Sequence, residues 1–270
     1  MNVMAKAIKH IRAGLLHIEV IGKIPERQER KGRAGRSRPT SAAQQFYNNK
    51  CSWRELELVI ANNFGRGDMV VTFTYDDAHL PKSKKAAQGC MRKFFRKLRE
   101  VRKRRGEALL YIYVTEGLHG SRADERFGRD GALEDRRLHH HVVLNGRDVE
   151  ELRSLWEYGE IRAEPVDIHY YRELAKYLTK EAREEGRAKP GERTWCCSRN
   201  LNREYEVEYT EIPTDGVTLT APEGAVDYTQ WHEKNPYGYA DCVCARYLLY
   251  PEEAREVLSY STGRRKQNQA

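Results

Sequence analysis

The chain has 270 residues, a length that suits one domain with extensions or two small domains. Hydrophobic residues make up 39% and charged residues 33%, with a net charge of +8, so a core is possible beneath a basic surface suited to a polyanion partner. No run approaches the roughly 18 apolar residues of a membrane span. The basic N-terminal stretch lacks the apolar segment of a secretion signal, and six cysteines without a CxxC pair lead us to expect free thiols in a reducing cytoplasm.

The charge is unevenly spread. Residues 1–40 carry ten Lys/Arg against three acids, and residues 1–50 read as a basic N-terminal arm, with 23–45 too polar and too poor in large apolar residues for fixed structure. Patterned sequence starts near residue 52, where SWRELELVIANNF spaces apolar residues as a helix does, until GRGD breaks it. Met69 to Tyr75 is β-branched and aromatic, hence a strand. Lys84 to Arg105 is a long basic helix with Met91, Phe94, Phe95, Leu98 and Val101 as its apolar stripe, and nine of residues 92–105 are Lys or Arg.

Leu109 to Glu116 is a second strand, residues 117–136 a Gly- and charge-rich loop, and Leu138 to Asn145 a third strand ended by NGRD. A short helix from Val149 to Trp156, a strand from Gly159 to Val166 and a helix from Ile168 to Glu185, stopped by Gly186 and Pro190, complete the pattern. The order predicts an α+β fold over residues 51–204, with a central antiparallel sheet flanked by helices. Residues 205–270 read as an acidic extension, twelve acids against three bases over 204–256, whose elements the pattern does not place.

The sharpest chemical signal is His139-His140-His141. Alternation along a strand puts His139 and His141 on one face and His140 on the other, with Val142 and Leu144. Two imidazoles about 6–7 Å apart along a strand can chelate one cation; a hydrogen-bonded surface cluster is the alternative. Glu116, closing the preceding strand, offers an oxygen ligand, and His119 in the following loop is its rival. Tyr177 and Lys180, three apart on a helix, form the second signal. A phenol with an ordinary pKa of about 10 becomes a better nucleophile beside an ammonium.

On the basic helix the outward side chains Arg92, Lys93, Arg96 and Lys97 are expected to face DNA, while its phenylalanines serve the core. Arg199 can hold a phosphate through a forked pair of hydrogen bonds. Cys196-Cys197 and the pair Cys242/Cys244 lack zinc-type CxxC spacing and read as structural thiols. His10, His17, His79, His169 and His232 show no partner pattern and read as structural.

These segments together resemble the replication initiators of the HUH endonuclease superfamily, nearest in pattern to the rolling-circle Rep proteins of small single-stranded DNA phages and bacterial plasmid-like elements. VVTFTYDDAHLP resembles their first motif, RLHHHVVLNG the HUH motif with His140 in its usually hydrophobic middle position, AKYLTKEAR the tyrosine motif, and Ser198-Arg199-Asn200 the SRN segment that follows. The likeness covers roughly residues 52–203. It implies an RRM/ferredoxin-like endonuclease domain, His139, His141 and Glu116 as ligands of Mg²⁺ or Mn²⁺, Tyr177 as nucleophile assisted by Lys180, and Arg199 and Asn200 among the DNA contacts.

The implied reaction is a nick in single-stranded or hairpin origin DNA that leaves the protein on the 5′ end, in the cytoplasm of a bacterial host. No GxxxxGK[ST] loop is present, so a host helicase and polymerase are the expected partners. The position four before Tyr177 is Glu173, which departs from the YxxxY of two-tyrosine initiators and leaves Tyr170 as the alternative second tyrosine. A relaxase or HUH transposase is the rival within the superfamily. Rivals outside it are a base-stacking RRM-like module using Tyr111 and Tyr113, and a metal-binding structural protein.

Overall fold

The computed structural model describes residues 6–23, 42–117, 137–180, 194–212, 217–234 and 241–251. In chain order the elements are β1 (Lys6–Ala13), β2 (Leu16–Lys23), α1 (Ala42–Asn63), β3 (Met69–Phe73), α2 (Lys84–Arg104), β4 (Tyr111–Glu116) and β5 (His139–Leu144). There follow α3 (Val149–Leu155), β6 (Ile161–Pro165), a 3₁₀ turn (Ile168–Tyr170), α4 (Tyr171–Leu178), β7 (Cys196–Cys197), β8 (Glu206–Ile212), β9 (Ala225–Glu233) and β10 (Cys242–Leu249). Two antiparallel five-stranded sheets result, β6-β3-β5-β4-β7 and β8-β1-β2-β10-β9, and the architecture is α+β. The chain divides into two units, Pro39–Asn202 and a second one built from Met1–Arg38 together with Arg203–Ala270.

In the first unit the run β3-α2-β4-β5-α3-β6, with strand order β6-β3-β5-β4, is the ferredoxin-like split βαβ arrangement. Alternation gives each strand two apolar faces, one of which carries Met69, Val71, Phe73, Tyr113, Val142 and Leu144. Helix α2 covers that face because Ala87, Met91, Phe94, Leu98 and Arg102 recur at spacings of three and four and are all buried. Phe94 meets Phe73 edge-on, with ring centroids 4.9 Å apart, and Trp156 closes the same cluster. The Ser83 hydroxyl caps the helix by accepting the Ala86 N–H at 3.2 Å.

Two polar devices hold this core at its ends. The Arg102 guanidinium, buried at the end of α2, donates to Glu151 at 3.2 Å and to the backbone and side-chain oxygens of Asn145 at 2.8 Å. Asn145 in turn accepts the Leu110 N–H at 2.8 Å, so the NGRD turn, α2, α3 and β4 share one network. At the other end Gly159 lies between two hydrogen bonds, Thr74 N–H to Glu160 O at 3.0 Å and Asp76 N–H to Tyr158 O at 2.9 Å. A Cβ on Gly159 would stand 2.5 Å from the Thr74 oxygen, so no side chain fits where the chain passes β3.

The second unit departs from the expected division into a basic arm and an acidic extension. Half of the arm forms the hairpin β1–β2, turned at Gly14 with φ of 57°, and it pairs with β8 and β10 from the extension. The charge asymmetry is the physical reason for the pairing. Arg12 meets Glu206 across β1 and β8 at 3.4 Å, and His10 lies between Glu19 at 3.2 Å and the Thr210 hydroxyl at 3.1 Å. Residues 24–41 of the arm, the 118–136 part of the loop with His119, and the helix end expected at Glu185 to Pro190 lie outside the described residues.

Candidate metal and tyrosine site

The register of the central sheet builds this site. Glu116 of β4 stands opposite His139, and His141 is flanked by Val114 of β4 and Thr72 of β3. Directly opposed residues share a face, so Glu116, His139, His141 and Thr72 lie together, on the face away from α2. The Nε2 atoms of His139 and His141 are 3.1 Å apart, and Glu116 Oε2 is 3.6 Å from the first and 3.7 Å from the second. Two ligand atoms adjacent on a cation of about 2.1 Å bond length would lie roughly 3 Å apart.

Both rings are aimed by their outer nitrogens. His139 Nδ1–H donates to the Arg137 carbonyl at 2.8 Å, and His141 Nδ1 lies 3.0 Å from the Thr72 hydroxyl. With the proton on Nδ1, each Nε2 lone pair turns toward the shared centre. Glu116 is buried, and its Oε1 has no hydrogen-bond partner. Two imidazole lone pairs and a carboxylate, one oxygen unsatisfied, converge on one point and fit a divalent cation.

His140 faces the other way and is fully buried. Its Nε2 is 2.7 Å from the Tyr75 hydroxyl and its Nδ1 2.9 Å from the Thr115 hydroxyl. Burial, and then the neighbouring His139 and His141, hold its pKa down to about 3, so the ring stays neutral. An imidazole in the usually hydrophobic middle position is therefore accommodated by two hydroxyls, a pairing that the sequence alone did not reveal.

Helix α4 brings the tyrosine. Tyr171, Ala175 and Leu178 are its buried stripe, and the Tyr171 hydroxyl donates to the Phe64 carbonyl at the end of α1 at 2.6 Å. Arg172 and Lys176 reach over the Trp53 ring of α1, 5.6 and 5.3 Å from its centroid, with Arg54 at 5.6 Å. Trp53 and Thr72 were missed in the sequence because neither helix pairing nor strand register is visible there. Tyr177 lies off the buried stripe, 46% exposed, and its hydroxyl is 2.9 Å from His141 Nε2. Tyr170, at the N-cap of α4, is 58% exposed.

The expected helix through Glu185 is interrupted earlier. Helix α4 ends at Leu178, where the Thr179 hydroxyl donates back to the Ala175 carbonyl at 2.8 Å, and exposed Lys180 lies past that cap. Arg92, Lys93, Arg96 and Lys97 are exposed, as their outward spacing implies, and Lys97 pairs with Glu157 at 2.6 Å. Helix α2, however, covers the His140 face, so these bases stand on the side of the sheet opposite Tyr177.

The SRN segment continues β7 along β4. Ser198 exchanges hydrogen bonds with Tyr111, N–H to O at 2.9 Å and Oγ from N–H at 3.2 Å, and the Asn200 amide donates to the Leu109 carbonyl at 3.3 Å. Arg199 is exposed and, with Arg99 and Lys103, lines a groove of about 900 Å³ beside Tyr111. Among the other histidines, His79 pairs with Asp76 at 2.8 Å, His169 meets Arg66 at 3.2 Å, and His17 stacks on Tyr247 with centroids 5.1 Å apart.

A comparison with known families matches residues 68–182, the stretch from β3 past the tyrosine helix, to the replication-associated protein ORF2 family. Comparison with curated proteins and with solved structures found no match. No helix among the described residues is long and apolar enough to cross a membrane. The matched stretch contains all four converging side chains, so over residues 68–182 this chain carries a rolling-circle Rep-like domain of the replication-associated protein ORF2 family.

Proposed function

We propose that this protein is a metal-dependent, single-tyrosine endonuclease that nicks one strand of origin DNA to start rolling-circle replication. The observation that carries the reading is the Tyr177 hydroxyl, 2.9 Å from the nitrogen of an imidazole that also belongs to the cation-fitting trio. His139, His141 and Glu116 would hold Mg²⁺ or Mn²⁺, which when bound supplies positive charge to the scissile phosphate.

The chain's own residues do the rest. Tyr177, held by the α1–α4 contacts, presents its oxygen for attack on phosphorus. The Tyr–O–P bond forms as the P–O3′ bond breaks, the phenol loses its proton and the departing 3′ oxygen takes one up. Lys180 acts as the counter-charge that favours phenolate. The 5′-phosphotyrosyl ester conserves the bond for later rejoining, and the free 3′-OH primes synthesis. Arg199 and Asn200 contact the substrate strand, and Arg92, Lys93, Arg96 and Lys97 hold the flanking DNA through its phosphates. Helicase and polymerase come from the host cell, in whose cytoplasm the reaction takes place.

The test is a labelled single-stranded origin oligonucleotide incubated with protein and Mn²⁺. Wild type should yield a shortened strand and a covalent protein–DNA adduct, and Tyr177→Phe should yield neither. An uncut strand, a cut without adduct, or cutting retained by Tyr177→Phe but lost in Tyr170→Phe would each defeat the assignment.

A further inference from the structure

The second unit carries a cluster that the replication chemistry does not use. Cys242 and Cys244 of β10 share one strand face, Cys242 stands opposite Glu233 of β9, and Cys244 stands between Trp231 and Val20. The two Sγ atoms are 3.7 Å apart, and Glu233 Oε2 is 3.6 Å from Cys244 Sγ and 4.0 Å from Cys242 Sγ. Cys244 is fully buried, whereas Cys242 and Glu233 are half-buried. Opposite Cys242 the neighbouring strand carries Gly22, where a Cβ would come within 4.0 Å of the Cys242 Cβ, so this end of the site is kept clear of a side chain.

We propose that Cys242, Cys244 and Glu233 bind a thiophilic divalent cation, zinc in the first instance, at a site independent of the HUH centre. Tetrahedral zinc with sulfur at 2.3 Å and oxygen near 2.0 Å sets neighbouring sulfurs about 3.8 Å apart and sulfur from oxygen about 3.5 Å. The cluster approaches those separations before any ion is added. A disulfide is a poorer use of the pair: same-face neighbours on a strand are about 6.6 Å apart at Cα, near the limit that a disulfide spans. Binding releases both thiol protons to solvent, leaves a fourth position for water, and ties β9 to β10 through side chains as well as the backbone ladder.

The donor sets separate the two sites. Thiolate favours zinc and cobalt, while two imidazoles and a carboxylate without sulfur also take magnesium or manganese. The full chain, reduced and stripped of metal, is titrated with Co²⁺ and followed by absorption. Wild type should develop a thiolate-to-cobalt charge-transfer band that saturates at one equivalent and is displaced by Zn²⁺. His139→Ala combined with His141→Ala should leave that band intact, whereas Cys242→Ser combined with Cys244→Ser should abolish it. Glu233→Gln, near in size and judged for folding by circular dichroism, should weaken Co²⁺ binding about tenfold or more. Absence of the band in wild type, its survival in the double serine variant, or unchanged affinity in a folded Glu233→Gln would overturn the proposal.

Discussion

The two sheets have the same strand number and the same antiparallel pairing, yet they are held together differently. In the β3–β7 sheet the strands come from one continuous stretch, and β4 and β5 are buried at nearly every position. In the terminal sheet, β1 pairs with a strand about two hundred residues away, and β8 is exposed along almost its whole length. The first rests on apolar burial on both faces, the second on backbone ladders laced with polar cross-strand pairs such as His10–Glu19 and Tyr247–Glu19. The clusters follow the same contrast. The central sheet gathers two imidazoles and a carboxylate, the terminal sheet two thiols and a carboxylate.

Substitutions should therefore separate by sheet. The largest effect is expected for Tyr177→Phe, which removes the proposed nucleophile and should lower nicking on the order of 10⁴-fold with unchanged thermal stability. Next is Arg102→Met. It leaves Glu151 and the Asn145 oxygens buried without their main donor, which should cost about 3–5 kcal/mol in urea unfolding followed by tryptophan fluorescence. A loss below about 1 kcal/mol would mean that Arg105, 3.0 Å from Glu151, carries the network instead.

The contrast also explains what the sequence disclosed. Met69–Tyr75, the basic helix, the HHH strand and the strand ending in Glu116 were legible because burial on both faces leaves dense apolar runs with clear breaks. The donor set followed from the two-residue period of β5. The second layer did not: that Thr72 stands beside His141, or that Tyr75 and Thr115 hold His140, depends on register, which no local pattern encodes. The terminal sheet escaped for another reason. Strands such as KAIKHIRA and EVEYTEI hold more charge than apolar alternation, and pairing across the chain leaves no hairpin signal to join them.

The register-dependent layer is directly testable. Thr72→Val keeps the shape of the side chain and removes the hydroxyl beside His141 Nδ1, so Mn²⁺ affinity should fall about 10- to 100-fold, while Thr72→Ser retains it. Nicking measured against Mn²⁺ concentration should shift its midpoint and recover at saturation. A lower plateau with an unchanged midpoint would show that Thr72 acts on something other than the metal ligands.

The smallest effect belongs to the terminal sheet. Arg12 and Glu206 meet at 3.4 Å, but their side chains are 52% and 69% exposed, so water and salt screen the pair. Arg12→Ala should cost no more than about 0.5 kcal/mol, and less in high salt, because the backbone ladder of β1 and β8 persists without it. A double-mutant cycle with Glu206→Ala, read by thermal unfolding at low and high salt, isolates the pair from the separate effects of each side chain. A coupling above about 1 kcal/mol that survives high salt would mean that this pair is shielded from solvent and that charge, rather than the ladder, joins the two ends of the chain.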